Sequence, residues 1–328
     1  MRLAIRFLGL GLILGVGLTA TEIAHAQAWP QKPIRLVLPF AAGGPSDAIA
    51  RALATSLTES LGQQVVVDNR TGAGGSLGID LVAKAPPDGY TLGFAHTGSM
   101  AINPHLYARH PFDPLALTPI TPVVAYTNVL VVNPKIPARS VQEFVAWAKA
   151  NPDRATIASG GNGATNHLAA ELLKSLTGAP LTHVPYKGNA PAMVDVMSGS
   201  VAAMFDIPTT AIPQIRAGHV RPLAVVSAKR SAYLPDVPSM AESGIPGFLE
   251  AGSDLWFGLV GPPGLPQPIV ERLHAESIKA MQTPAMQASV RQMAYDVWTM
   301  PSAQFKTFLQ TDLEKWGKVV KLSGARLD

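Results

Sequence analysis

The segment Ile34-Arg35-Leu36-Val37-Leu38-Pro39-Phe40-Ala41-Ala42-Gly43-Gly44-Pro45-Ser46-Asp47 joins two unlike patterns. From Ile34 to Phe40 it is apolar with few polar breaks, which suits a strand buried on both faces of a parallel sheet. Ala41–Ser46 is a loop of small residues. Beyond it Ile49, Leu53, Leu57 and Leu61 recur every four residues, the stripe of a half-buried helix, and Gly62 supplies the stop. A second unit follows, with a strand at Gln64–Asp68, then Thr71-Gly72-Ala73-Gly74-Gly75 and a short helix. The turn Pro86-Pro87-Asp88-Gly89 opens a third strand, Tyr90–Ala95. Successive βα units of this kind predict a parallel sheet with helices on both faces.

Further along, the pattern restarts. Val123–Val132 reads as a long strand or a crossover, and Ser140-Val141-Gln142-Glu143 has capping-box spacing at the head of a helix to about Ala150. Strands are expected near Thr156–Ser159, Leu181–Pro185, Ala202–Phe205 and Leu223–Ser227, with helical segments between them. The Pro/Gly-rich Leu234–Phe248 reads as an irregular connector, and Asp254–Val260 as another strand. Helices at Gln267–Gln282, Ala285–Ala294 and Ser302–Lys321 end the chain, which suggests a return that completes the first domain.

The N-terminus has the three-part order of a secretory signal peptide: Arg2 and Arg6, an apolar run from Phe7 to Ala20, then Ala24-His25-Ala26. A helix over Phe7–Ala20 would span roughly 21 Å, short of a hydrocarbon core of about 30 Å. Residues 1–26 are therefore expected to be cleaved, and the mature chain to be periplasmic. Its loss of Arg2, Arg6 and Glu22 lowers the formal charge from +4 to +3, mildly attractive to anions, and no basic stripe points to nucleic acid. The chain has no cysteine, which excludes disulfides and a cysteine-linked lipid anchor. Its length exceeds what one hydrophobic core usually organises, so two domains are expected.

Chemistry-bearing motifs are few. The loops Pro39–Gly44 and Thr71–Gly75 both sit where a strand ends and a helix begins. There, free N–H groups and the positive helix end favour an anion without any charged side chain. Gly74-Gly75-Ser76-Leu77-Gly78 matches a nucleophile elbow, but the preceding strand is expected to end near Asp68, too early for that turn. Gly72, Gly74 and Gly78 loosely resemble a dinucleotide fingerprint and lack the acidic residue it requires. No histidine pair has metal-ligand spacing, no carboxylate pair marks a hydrolase, and no cofactor is expected. In the second half, Ser159–His167 follows a strand and opens a helix, Tyr186-Lys187-Gly188 follows another, and Phe205-Asp206 ends a third.

Taken in order, these motifs resemble the Bug receptor family, the TctC-like substrate-binding proteins of tripartite tricarboxylate transporters. The resemblance is carried by Trp29-Pro30-x-Lys32-Pro33, Pro39-Phe40-x-x-Gly43-Gly44-x-x-Asp47, Gly72–Gly75, Asp88–Leu92 and Asn103-Pro104-x-Leu106-Tyr107. It continues with Tyr186-Lys187-Gly188-x-x-Pro191-Ala192, Phe205-Asp206, Leu234–Ser239, Trp256-x-Gly258 and Gly261-Pro262-Pro263-Gly264-x-Pro266. It implies an α/β, two-lobed periplasmic binding protein of type II-like design, each lobe a mostly parallel sheet flanked by helices, with ligand in the interlobe cleft. The expected division is 27–123 plus 251–328 for lobe 1 and 124–250 for lobe 2. The ligand would be a small organic anion: a di- or tricarboxylate, an amino acid or an aromatic acid.

The same resemblance places Phe40, Ala41, Ala42, Ala73 and Gly74 at one ligand carboxylate. Thr97, Ser159, Gly160, Asn162, Thr165, His167, Tyr186, Lys187, Phe205 and Asp206 would line the facing wall. Asp47 has two readings, an acceptor for a ligand amino group or a fixture of its own loop, the second preferred. His96 departs from the family's pattern and, facing the cleft, would alter ligand choice. The partner is a membrane permease or a membrane sensor, and a non-catalytic monomer is expected.

Overall fold

The computed structural model describes residues 29–249 and 255–327. The expected signal peptide, and the expected return to lobe 1 at residue 251, lie outside the described residues. No helix among the described residues is long and apolar enough to cross a membrane.

The first part of the chain forms β1 (Ile34–Leu38), α1 (Pro45–Leu61), β2 (Val65–Asn69), α2 (Ser76–Ala83) and β3 (Thr91–His96). A π-helical turn, Gly98–Ile102, runs into α3 (Asn103–Leu106), and β4 (Thr118–Tyr126) follows. The second part forms β5 (Val129–Val132), α4 (Val141–Ala150), β6 (Thr156–Ser159), α5 (Thr165–Thr177), β7 (Thr182–Pro185), α6 (Asn189–Ser198), β8 (Ala203–Asp206), α7 (Pro208–Arg216) and β9 (Arg221–Val225). The chain returns through β10 (Leu255–Gly261), α8 (Gln267–Met281), α9 (Pro284–Gln292), β11 (Asp296–Val297) and α10 (Ser302–Ser323).

Local chemistry accounts for these elements. α1 starts with Pro45 in its first turn, where a missing N–H costs nothing, and carries Asp47 near its positive end. Ile49, Leu53, Leu57 and Leu61 are its buried face, and Gly62 ends it at φ 70°, donating to the Thr58 carbonyl at 3.1 Å. At α4, Ser140 Oγ accepts from the Glu143 N–H at 3.1 Å while Glu143 Oε2 accepts from the Arg139 N–H at 2.6 Å. The cap thus closes one residue further out than the expected reciprocal box.

Two sheets result. One has the order β11-β4-β10-β3-β1-β2, the other β7-β6-β8-β5-β9. Alternation along β1 shows how both faces are used. Ile34, Leu36 and Leu38 face the core beneath α1 and α8, while Val37 packs with Ile79, Trp256 and Phe305 on the other side. The expectation of mostly parallel sheets needs correction. β2, β1 and β3 are parallel to one another, as are β7, β6 and β8, but β10, β4 and β11, and likewise β5 and β9, pair antiparallel. The parallel strands come from βα units. β5 instead follows a direct crossing at Thr127–Asn128 from the other sheet, so no crossover helix constrains its direction. The run read as one strand or a crossover is thus two strands in two sheets, with β4 holding the first sheet to Tyr126.

α10 ties the lobes together. Its Phe305 packs in the first lobe, and Trp316, Val319 and Val320 pack with α5 residues of the second. Ile102 and Leu106 join that second cluster, and Leu327 closes a bridge back to Leu106, Tyr107 and Ala108.

Candidate functional site

Between the lobes lies a cavity of about 500 Å³. Its first-lobe side is made by the loops after β1 and β2 and the end of β3. Its second-lobe side is made by Gly160–Thr165, between β6 and α5. Both parallel halves therefore present the carboxyl ends of their strands, where ligands bind in open α/β sheets. Another depression, of about 510 Å³, runs along α1 and β2 near Arg51, Glu59 and Val66. It is a surface groove beside an edge strand and gathers no convergent polar loops.

The two first-lobe loops are shaped by backbone and held from behind. Gly72, Ala73, Gly74 and Gly75 all have positive φ, at 130°, 46°, 59° and 94°. Ala73 is held there despite its Cβ, a strain of about 1–2 kcal/mol. Asn103 Nδ2 pins the loop by donating to the Gly74 carbonyl at 2.9 Å, the Ala73 carbonyl at 3.2 Å and Ser76 Oγ at 2.9 Å. The β1–α1 loop is fastened through Asp47, which accepts from the Gly43 N–H at 3.0 Å, Arg51 Nε at 2.8 Å and Asn69 Nδ2 at 3.0 Å. Burial opposes its charge, but those donors, Arg51 and Asn69 foremost, hold its pKa at about 2. Asn69 Nδ2 also reaches the Phe40 carbonyl at 2.9 Å. The Phe40 ring lies 4.6 Å from His96 and edge-on to Phe257 at 5.7 Å, and Phe257 in turn stacks on Tyr126.

The second-lobe side is held by side chains. Asn166 Oδ1 accepts from the Gly160 N–H at 3.2 Å, and its Nδ2 donates to Asn189 Oδ1 at 3.0 Å. Asn189 Nδ2 donates to Asp206 Oδ1 at 2.7 Å, and Thr210 Oγ1 donates to Asp206 Oδ2. Burial raises the Asp206 pKa to about 7, although those donors pull the other way. Ser159 Oγ lies 2.6 Å from His183 Nε2, His183 stacks on His167 at 3.9 Å, and His167 Nδ1 accepts from the Gly163 N–H at 3.0 Å. Burial pushes His183 down to about 4 and lowers His167, so both rings are neutral at neutral pH.

Of the expected ligand contacts, Phe40, Ala41, Gly74, Gly160, Asn162 and Thr165 line the cavity. Ala42 and Ala73 sit on the same loops outside its lining. Asp47, Ser159, His167 and Asp206 lie behind the wall with the bonds just given. Thr97 is buried and accepts from the Trp256 N–H at 2.9 Å, joining β3 to β10. Phe205 belongs to the second-lobe core, Tyr186 donates to Asp195 Oδ2 at 2.5 Å, and Lys187 is exposed to solvent. Lining residues that sequence reading did not single out include Asn103, Tyr107, Tyr126 and Leu327. Asn103 and Tyr107 stand in a motif that carried the family resemblance. Leu327 had no local signal.

Ser76 is 3.2 Å from His110 Nε2, and His110 Nδ1 lies 2.7 Å from the Phe112 carbonyl. This serine–histidine pair does not make an elbow nucleophile. Ser76 is 1% exposed, accepts from Asn103, opens α2 well after β2 ends, and does not line the cavity. Among the described residues no group of three or more His, Asp or Glu side chains is placed to hold a metal ion.

With this geometry in view, the chain is similar to several known proteins. It is 37% identical to Protein BugT of Bordetella pertussis over 321 residues, covering 96% of this chain and 97% of that one. It superposes on the R. palustris protein Rpa4515, solved with adipate, with a TM-score of 0.79 and 33% identity over 92% of this chain and all of that one. It superposes on MatC from Rhodopseudomonas palustris, solved with bound malate, with a TM-score of 0.75 and 29% identity over 89% of this chain and all of that one. Residues 49–325 match the family model described as the tripartite tricarboxylate transporter family receptor, TctC. The chain belongs to that family of receptors.

Proposed function

We propose that this protein is an exported periplasmic receptor that captures a small organic carboxylate and passes it unchanged to the membrane components of a tripartite tricarboxylate transporter. The observation that carries this reading is the interlobe cavity. Its first-lobe side is formed by two strand-to-helix loops, and among the described residues no lysine, arginine, aspartate or glutamate lines it. Backbone N–H groups at helix starts are the means by which such a site binds an anion. Phe40, Ala41 and Gly74 would meet one carboxylate, and Gly160, Asn162 and Thr165 would close over the other end. The adipate and malate held by two relatives support the ligand class. The leader sequence supports export.

A thermal-shift screen of the chain from Gln27 against a carboxylate library tests the reading. A ligand of the folded state raises stability by about 2.7 kcal/mol at a hundredfold excess over its dissociation constant. A saturable shift with one class of acid is expected. No shift with any acid, repeated on protein unfolded and refolded to strip ligand carried from the host, would overturn it.

A further inference from the structure

His96 ends β3 and lines the cavity. The Gly98 N–H donates to its Nδ1 at 3.1 Å, so Nδ1 is the acceptor and Nε2 carries the ring proton. Burial pushes the ring's pKa down to about 4, with the neighbouring Gly74 carbonyl opposing, so the imidazole is neutral at neutral pH. The ring is clamped. A Cβ on Gly75 or on Gly98 would come within 2.5 Å of it, and Phe40 lies against its face. Nε2 is buried and has no hydrogen-bond partner among the described residues, and Asn103 already bonds the Gly74 carbonyl. A buried N–H donor of this kind is rarely left unmatched.

The two carboxylates that fasten the walls of the cavity are otherwise engaged. Asp47 is bonded by Gly43, Arg51 and Asn69, and Asp206 by Asn189 and Thr210. The Phe40, Ala73 and Gly74 carbonyls accept from Asn69 or Asn103. A ligand ammonium brought to this end would meet a donor where it needs an acceptor, and burying an unpaired charge is costly. We infer that His96 is a specificity-determining residue that restricts the receptor to carboxylic acids without an α-amino group. This rests on the receptor reading above and narrows it.

The test is titration calorimetry at neutral pH on matched pairs: succinate and aspartate, glutarate and glutamate, 3-phenylpropionate and phenylalanine. In any pair that binds, the acid is expected to bind at least about 30-fold more tightly than its amino acid, the size of one unmatched charged group. His96→Phe keeps a flat ring without the donor and should weaken the acid about tenfold. His96→Asn can turn its carbonyl toward an ammonium, so the acid-to-amino-acid ratio should fall, a change that loss of packing alone would not produce. An amino acid that binds wild type as tightly as its acid overturns the inference, as does an unchanged ratio in His96→Asn. Should the variants not fold, ¹⁵N-histidine spectra of wild type decide. An Nε2–H resonance that moves on saturation with the acid supports the assignment, and one that stays put overturns it. If no pair binds, the acid found by the thermal-shift screen and its α-amino analogue form the deciding pair, and silence of that whole screen overturns the receptor reading instead.

Discussion

The two walls of the cleft are built by different means. The first-lobe loop Gly72–Gly75 is a run of positive φ angles with its side-chain support, Asn103 and His96, packed against it. The second-lobe loop is positioned by a relay of side chains, Gly160 to Asn166 to Asn189 to Asp206 to Thr210. A wall made by backbone conformation is sensitive to added atoms. A wall made by buried polar side chains is sensitive to protonation. The difference teaches where each lobe should fail.

The largest effect is expected from Gly75→Val. Its φ of 94° disfavours any Cβ, and that Cβ would lie 2.5 Å from His96 Nε2 and 3.2 Å from Pro39. Backbone strain and overpacking together should cost about 2–5 kcal/mol. Thermal melts of the unliganded protein measure this, and a loss below about 1 kcal/mol would mean the loop is not shaped as described.

Next comes the pH response of the second wall. Asp206 is fully buried, and its folded pKa of about 7 lies above the ordinary carboxyl value of 3.8. The folded state therefore keeps a proton that the unfolded state has lost across the interval between them. This contribution is fully present below pH 4 and declines as pH rises toward 7, by something on the order of a few kcal/mol. Asp206→Asn, which can still accept from Asn189, should remove that decline. Melting temperatures at pH 5, 6, 7 and 8 should converge or cross between wild type and variant. Parallel curves would count against a raised pKa at this site.

A smaller effect is expected from Gly160→Ala. Its φ is ordinary, so the backbone tolerates a side chain, but the new Cβ would collide with Asn189 Oδ1. Moving Asn189 loosens its bonds to Asn166 and Asp206, a cost of about 1–2 kcal/mol. In an Asn189→Ala background the same substitution should cost much less, because the relay is already broken. Additive losses in that cycle would show that Gly160 is not coupled to the relay.

How much of this was legible in the sequence depends on what kind of information each part uses. β1, α1 and their connecting loop were readable because hydrophobic spacing, a first-turn proline and a stop glycine are local signals. The antiparallel strands were not, since strand direction follows from which sheet the chain has just left. Phe40, Ala41, Gly74, Gly160, Asn162 and Thr165 stand in glycine-rich loops whose composition is visible, and they line the cavity. Tyr126 and Leu327 reach it only through tertiary packing, and the Asn166–Asn189–Asp206 relay joins residues up to 40 positions apart. Asp206 and His167, expected at the ligand, are absent from the cavity lining and bond to Asn189 and Gly163.

The smallest effect sharpens the contrast. Arg51 is half exposed, and its contact with Asp47 is one of three. An ion pair open to solvent contributes about 0–1 kcal/mol, so Arg51→Met should lower stability by no more than that at neutral pH, and less in high salt. The pH dependence has the opposite sign to that of Asp206. The Asp47 pKa of about 2 lies below the ordinary value of 3.8, so its contribution is present above pH 4 and is lost as pH falls toward 2. Arg51→Met should therefore differ from wild type at neutral pH and merge with it in acid, whereas Asp206→Asn departs from wild type as pH rises. Acid should thus loosen the fastening of the first wall while leaving the second intact, and neutral to alkaline pH should do the reverse. Hydrogen exchange of the Gly43 and Gly160 amides across that range would report the two walls separately. If both amides lost protection together at every pH, the walls would be one cooperative unit rather than two independently held ones.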